Sequence, residues 1–227
     1  MREIIFDTET TGLDPLGGDR MVEIGCVEMV NRIPTGAIFH AYFNPDRDMP
    51  MEAERIHGLS AAFLSDKPRF AERAAELLEF IGPSPLVAHN AQFDFGFLNN
   101  ELRGCEQPEV GLDRMIDTLA IARRRHPGAK HSLDALCTRY GIDRSHREKH
   151  GALLDAELLA QVYVELTGGR QIGLELATSH GELVIETTRF RPRTGIFRAP
   201  RPHAASPEEL ARHKGFLDAL KIAHWTR

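Results

Sequence analysis

Residues 4–15 read Ile-Ile-Phe-Asp-Thr-Glu-Thr-Thr-Gly-Leu-Asp-Pro, an apolar run that passes directly into two acids spaced two apart. A short continuous apolar run that ends in polar residues predicts a buried strand. Alternate side chains of a strand share a face, so Asp7 and Glu9 project together and Thr8 points the other way. Acids set in apolar sequence are costly to bury unless something positive neutralises them. Two more such acids follow, Asp94 in VAHNAQFDFGFL and Asp155 in HGALLDAELLAQVY, with His150 shortly before Asp155. Four carboxylates gathered in one place repel one another unless they share divalent cations. Hard cations with oxygen ligands point to magnesium or manganese chemistry on phosphate.

Outward from that strand, TGLDPLGGDR is a turn-rich loop carrying Gly12, Pro15, Gly17 and Gly18. MVEIGCVEMV and GAIFHAYFN have the alternation and β-branched content of strands, joined by a hairpin through Asn31–Thr35. Short helical pieces are expected over 50–64, and a helix over Arg69–Ile81 from the spacing of Phe70, Ala74, Leu77, Leu78 and Ile81. LVAHN reads as a short buried strand, and 93–102 as a helix with Phe93, Phe97 and Leu98 on one face. A brief strand at Met115–Thr118 precedes helices near 118–125 and 132–139, the second N-capped by Ser132. A last long helix runs from about Gly151 to Leu166 and stops at Gly168–Gly169. Three strands followed by alternating helices and strands predict an α/β fold, a mixed sheet flanked by helices.

The three cysteines, Cys26, Cys105 and Cys137, are isolated and odd in number, which fits a reducing cytoplasm and no disulfide framework. No stretch is long and apolar enough to span a bilayer, and the N-terminus shows no signal-peptide pattern. Charge is uneven. Residues 187–227 hold 9 Lys/Arg and 3 Asp/Glu, or +6, which leaves −11 on residues 1–186 for a total of −5. An acidic body cannot hold a polyanion through phosphate contacts alone. A nucleic-acid substrate would then need metal ions to offset the charge and a partner to deliver the strand.

Asp94 falls at the start of its helix, where an acid also complements the helix dipole by under about 1 kcal/mol. His150 lies just before the last helix, and an imidazole with an ordinary pKa of about 6.5 suits proton abstraction from water near neutral pH. Taken together, FDTETTGLDP, HNAQFDFGFLNNEL and HGALLDAELLAQVY resemble the three motifs of the DEDDh exonucleases, a branch of the ribonuclease-H-like superfamily. The resemblance spans roughly residues 2–170, and HGALLDAELLAQVYVELTGG with EAERIHGLS is most similar to the proofreading subunits of bacterial DNA polymerase III. It implies a ribonuclease-H-like fold. It also implies two divalent ions, Mg2+ or Mn2+, held by Asp7, Glu9, Asp94 and Asp155, with His150 as general base. Thr10, Thr11, Gly12 and Leu13 would lie against the terminal sugar and base, with Glu52 and His57 at the terminal nucleotide and Asp7, Glu9 and Asp155 at its phosphate. The implied activity is 3′–5′ removal of mispaired nucleotides as 5′-monophosphates within a replicative polymerase. A free-standing nuclease acting on RNA or oligonucleotide ends is the alternative, and a scaffold bridging polymerase and clamp is the non-enzymatic one.

Beyond the 1–170 exonuclease domain, residues 171–206 read as a clamp motif followed by a linker broken by Pro192, Pro200 and Pro202. QIGLEL resembles the short clamp-binding peptides of bacterial replication proteins, with Gln171, Leu174 and Leu176 as anchors. Residues 207–227 regain helical character and resemble the tail by which such proofreading subunits tether to the polymerase catalytic (alpha) subunit. Phe216, Leu217, Leu220 and Trp225 would anchor it. A small accessory subunit bound to the exonuclease domain is a further possible partner.

Overall fold

The computed structural model describes residues 1–145, 149–169 and 205–220. The chain divides into two compact units, Met1–Leu176 and Ala177–Arg227. The expected contacts of Gln171, Leu174, Leu176 and Trp225 lie outside the described residues. Among the described residues, no helix is long and apolar enough to cross a membrane.

The first unit is built on a five-stranded sheet. Its strands are β1 (Arg2–Thr10), β2 (Met21–Val30), β3 (Ile33–Tyr42), β4 (Leu86–Ala88) and β5 (Met115–Asp117), in the spatial order β3-β2-β1-β4-β5. β1 pairs antiparallel with β2 and parallel with β4, so it is the central strand and both its faces are covered. This explains why Ile4, Ile5 and Phe6 run without a polar break. The β2–β3 connection is tighter than the expected Asn31–Thr35 loop. Asn31 (φ 52°) and Arg32 (φ 66°) alone make the turn, and β3 resumes at Ile33. Two central residues at positive φ match the twist of the flanking strands. Arg32 Nη1 donates to the Thr167 carbonyl at 2.9 Å, which holds the turn against the end of the last helix.

Helices cover both faces. α1 (Met51–His57), α2 (Ala61–Leu64) and α3 (Phe70–Ile81) lead into β4, and α4 (Ala91–Gly104) follows it. α5 (Thr118–Arg125), α6 (Leu133–Tyr140) and α7 (Ala152–Leu166) complete the unit. Strand alternation sorts the core. Ile4 and Phe6 of β1 pack with Leu77 of α3 and with Phe95 and Leu98 of α4. Ile5 packs on the other face with Ala156, Leu159 and Tyr163 of α7. α4 starts two residues earlier than the pattern predicts and buries Phe95 as well as Phe97 and Leu98. Phe95 meets Phe6 edge to face, centroids 5.7 Å apart, a contact worth about 0.5–1.5 kcal/mol beyond area burial. Ser132 caps α6 as expected, its Oγ accepting from the Ala135 N–H at 3.3 Å.

In the second unit, α8 (Pro207–Leu220) opens with Glu208 and Glu209 in its first turn, where negative charge complements the helix dipole. Leu210 and Phe216 on it are 58% and 61% exposed.

Candidate active site

The C-terminal end of β1, the loop after it and the start of α7 build the site. Asp7 and Glu9 lie on the face of β1 that α7 covers, as the alternation requires. Asp155 sits in the first turn of α7, its N–H donating to the Gly151 carbonyl at 2.9 Å, and is 3% exposed. His150 precedes that helix, and its N–H donates to the Ile56 carbonyl of α1 at 3.3 Å, so the loop is tied down at this point. Its Nδ1 lies 3.2 Å from Asp155 Oδ2, while about half of its side chain faces solvent. Glu9, His150 and Asp155 each offer a ligand atom within 4.8 Å of the others. The structure thus gathers three of the five residues expected to carry the chemistry, with Asp7 two positions before Glu9 on the same strand face.

Asp94 reaches β1 from the other side. It stands in the first turn of α4, 3% exposed, and accepts a hydrogen bond from Thr8 Oγ1 at 2.8 Å. Burial pushes its carboxyl up from 3.8 to about 7, against the pull of the Thr8 hydroxyl and nearby backbone groups, which favour the charged form. A complement to the helix dipole would need neither such burial nor a partner on the central strand. Asn90 ahead of it takes a left-handed conformation (φ 64°) and acts through its backbone rather than its side-chain amide. The N–H groups of Asn90 and Ala91 donate to Asp117 Oδ1 at 3.1 and 3.4 Å, and that same oxygen caps α5 through the Leu119 N–H at 2.9 Å. Asp117 therefore fixes the entry to the helix that carries Asp94, a role visible only once β4 and β5 are paired.

The loop from Thr10 to Arg20 is closed on itself. Thr10 Oγ1 donates to the Gly12 carbonyl at 2.6 Å, and Thr11 and Arg20 exchange backbone and side-chain bonds at 2.9 Å. Asp19 accepts from the Asp14 N–H at 3.0 Å and from Arg47 Nη1 at 2.8 Å, contacts that hold its carboxyl below the usual range, the Asp14 bond foremost. A Cβ on Gly12 would meet the Asp19 carboxylate at 2.2 Å, so a side chain here would displace that carboxylate from its bonds to Asp14 and Arg47. The loop ends on a fork: Arg20 gives two 2.7 Å bonds to the buried Glu101 of α4, which also accepts from the Met21 N–H. Thr10 and Thr11 are buried, while Leu13 stands 83% exposed beside them.

Glu52 lies exposed in the first turn of α1, whereas His57 at its end is buried. Nδ1 of His57 accepts from the Leu59 N–H at 3.0 Å, which places the proton of the neutral ring on Nε2. Nε2 is buried and has no hydrogen-bond partner among the described residues. Burial lowers the pKa of this ring from 6.5, opposed by the charge of Glu23 and by the Thr10 backbone. Glu23 itself, opposite Glu9 in the β1–β2 ladder, is held at 2.7 Å by His40 Nε2.

The model of the RNase_T family, described as exonuclease, matches residues 4–163. The chain belongs to this exonuclease family. It is 50% identical over 229 residues to the DNA polymerase III subunit epsilon of Rickettsia prowazekii, covering 98% of each chain. It is 42% identical over 233 residues to that of Escherichia coli, covering 97% of this chain and 93% of the other. Among solved structures, Exonuclease X in complex with 5′-overhanging duplex DNA superposes with a TM-score of 0.57 at 28% identity, over 73% of this chain and 90% of that one. The nuclease domain of 3′hExo, a DEDDh family member bound to rAMP, shares the fold at a TM-score of 0.63 and 15% identity, over 73% and 91%. The fold of this chain is thus shared with these solved exonuclease structures.

Proposed function

We propose that this exonuclease removes mispaired 3′-terminal nucleotides from DNA as 5′-monophosphates, as the proofreading subunit of a replicative polymerase. The observation that carries the reading is the convergence of Glu9, His150 and Asp155 at the end of the central strand, in a chain similar over nearly its whole length to epsilon subunits. The donors are chiefly carboxylate oxygens, which suit Mg2+ or Mn2+. Asp7, Glu9, Asp94 and Asp155 would hold two such ions, which when bound acidify a water and stabilise the leaving 3′ oxygen.

The chain's own residues do the remaining work. The contact between Nδ1 of His150 and Asp155 orients the imidazole, so its Nε2 lone pair can take the proton of the attacking water. The closed Thr10–Leu13 loop presents a rigid edge to the terminal sugar, and exposed Leu13 offers an apolar surface to the last base. His57 is buried against the backbone of Thr10 and would support the loop that meets the terminal nucleotide. Glu52 stands exposed at the opposite end of the same short helix, where it would meet the incoming strand. A mispaired end frays more readily than a paired one, so a site that accepts only a single strand selects errors without reading bases.

The polymerase catalytic (alpha) subunit is the proposed partner of the tail. α8 supports this with exposed Leu210 and Phe216, apolar side chains suited to docking on another protein. Tethering through the tail would raise effective concentration without strong intrinsic affinity. The experiment is degradation of a primer with a paired or mispaired 3′ end in Mg2+, with and without the polymerase subunit. Faster removal of the mispaired end, increased by the polymerase, is expected. Equal rates on both ends together with preference for RNA would replace this reading with a free-standing RNA nuclease.

A further inference from the structure

We propose that Gly25 is a positioning residue for the acid group: its missing side chain lets the first turn of α7 lie against β2, and this approach sets Asp155 and His150 beside Glu9. The inference rests on the reading of Glu9 and Asp155 as cation ligands with His150 as the general base beside them.

Gly25 is the ladder partner of Asp7, and its neighbour on the same face, Glu23, is the partner of Glu9. It therefore lies beside the acids, on the face that α7 covers. A Cβ built on Gly25 would stand 2.3 Å from both N and Cα of Leu153 and 2.5 Å from the carbonyl carbon of Ala152. These are backbone atoms, so no side chain can swing away to make room. Ordinary contact begins near 3.4 Å, so even a methyl group would lift the start of α7 by about 1 Å. The first turn cannot flex separately from the acid, because the Asp155 N–H is bonded to Gly151 at 2.9 Å.

Further along the same face, β2 presents Val27 and Met29, both packed with α7. The helix answers with Ala152, Ala156 and Ala160, each at most 2% exposed and four residues apart, a small-residue stripe along one side. Its far end is pinned independently: Tyr163 Oη donates to the buried Glu3 Oε1 at 2.7 Å. The helix thus has two separable anchors. One, at Tyr163, holds the fold. The other, at Gly25, sets the height of the catalytic turn over the strand. An isolated glycine inside a strand is the sequence mark of such a close approach.

Misplacement by about 1 Å can cost about 10²-fold in rate. The test compares the full-length chain with Gly25→Ala and Tyr163→Phe, reading Mn2+ affinity from the electron paramagnetic resonance signal of free Mn2+, alongside thermal melting and primer degradation. Gly25→Ala is expected to fold, to bind Mn2+ at least about tenfold more weakly and to lose about 10²-fold in kcat with little change in KM. Tyr163→Phe should lower the melting temperature yet keep wild-type Mn2+ affinity. Wild-type Mn2+ affinity in folded Gly25→Ala, or an equal loss in Tyr163→Phe, would overturn the proposal. Should Gly25→Ala fail to fold, Ala156→Val crowds the next turn of α7, where Ala156 packs with Ile5 and Val27: weaker Mn2+ binding supports the proposal and an unchanged affinity refutes it. If the wild-type chain itself bound no Mn2+, the reading of the site would fall and this inference with it; a defect-free Gly25→Ala in a Mn2+-binding chain removes the inference alone.

Discussion

Asp94 carries the clearest conflict between folding and function. Its carboxyl is pushed up to about 7, mainly by burial. A group whose pKa is higher in the fold than in the unfolded chain keeps its proton longer when folded. The stability of the metal-free protein therefore falls as pH rises from 3.8 to about 7, and the loss is complete above that window. Asp94→Asn keeps an oxygen for the Thr8 hydroxyl and removes the charge. It should raise the metal-free melting temperature at pH 8 by at least about 2 °C, flatten the pH dependence, and abolish hydrolysis. Saturating Mn2+ should narrow the stability gap by stabilising the wild type more than the variant. Melting curves that run parallel with pH in both proteins would show that Asp94 bears no such burden. His150→Ala should lower the rate at least about 10²-fold, the usual scale for a general base. A pH–rate profile identical to wild type after that substitution would exclude His150 from proton transfer.

Elements turn these residues into a site, and here the sequence is legible only in part. The strand at 2–10, the helices over 70–81, 133–140 and 152–166 and the sharing of one face by Asp7 and Glu9 all follow from local periodicity. The bond from Thr8 to Asp94 spans 86 residues and the fork from Arg20 to Glu101 spans 81, and no local pattern announces either. The role of Asp117 likewise depends on β5 lying beside β4. Gly25 was open to detection, because a glycine interrupting MVEIGCVEMV marks a bulge or a close approach; which element approaches is decided by the tertiary fold. The Arg20–Glu101 fork gives its own prediction. Glu101→Ala leaves the Met21 N–H without its acceptor and frees the end of the Thr10–Arg20 loop. Stability should fall by about 1–3 kcal/mol, and KM for a primer should rise more than kcat falls. Denaturant titration and steady-state kinetics check both, and an unchanged KM would show that the loop does not depend on this anchor.

At the scale of the whole molecule, charge is divided along the chain, −11 over residues 1–186 and +6 over 187–227. An acidic body gains little from phosphate contacts, so an encounter with DNA would call for cations at the site and delivery by a partner. Deleting 187–227 should leave Mn2+-dependent hydrolysis of single-stranded oligonucleotides within a few-fold of wild type while abolishing association with the polymerase subunit. Loss of oligonucleotide affinity with polymerase binding intact would instead make the tail a nucleic-acid grip. All of this depends on carboxylates at the end of the central strand holding cations around the last phosphodiester of a strand. The most direct measurement is release of the 3′-mispaired nucleotide in Mn2+ by wild type and by Asp155→Asn, a change of one atom in the first turn of α7. The account predicts 5′-monophosphate from wild type and a loss of at least about 10²-fold in the folded variant; wild-type rates from Asp155→Asn would contradict it.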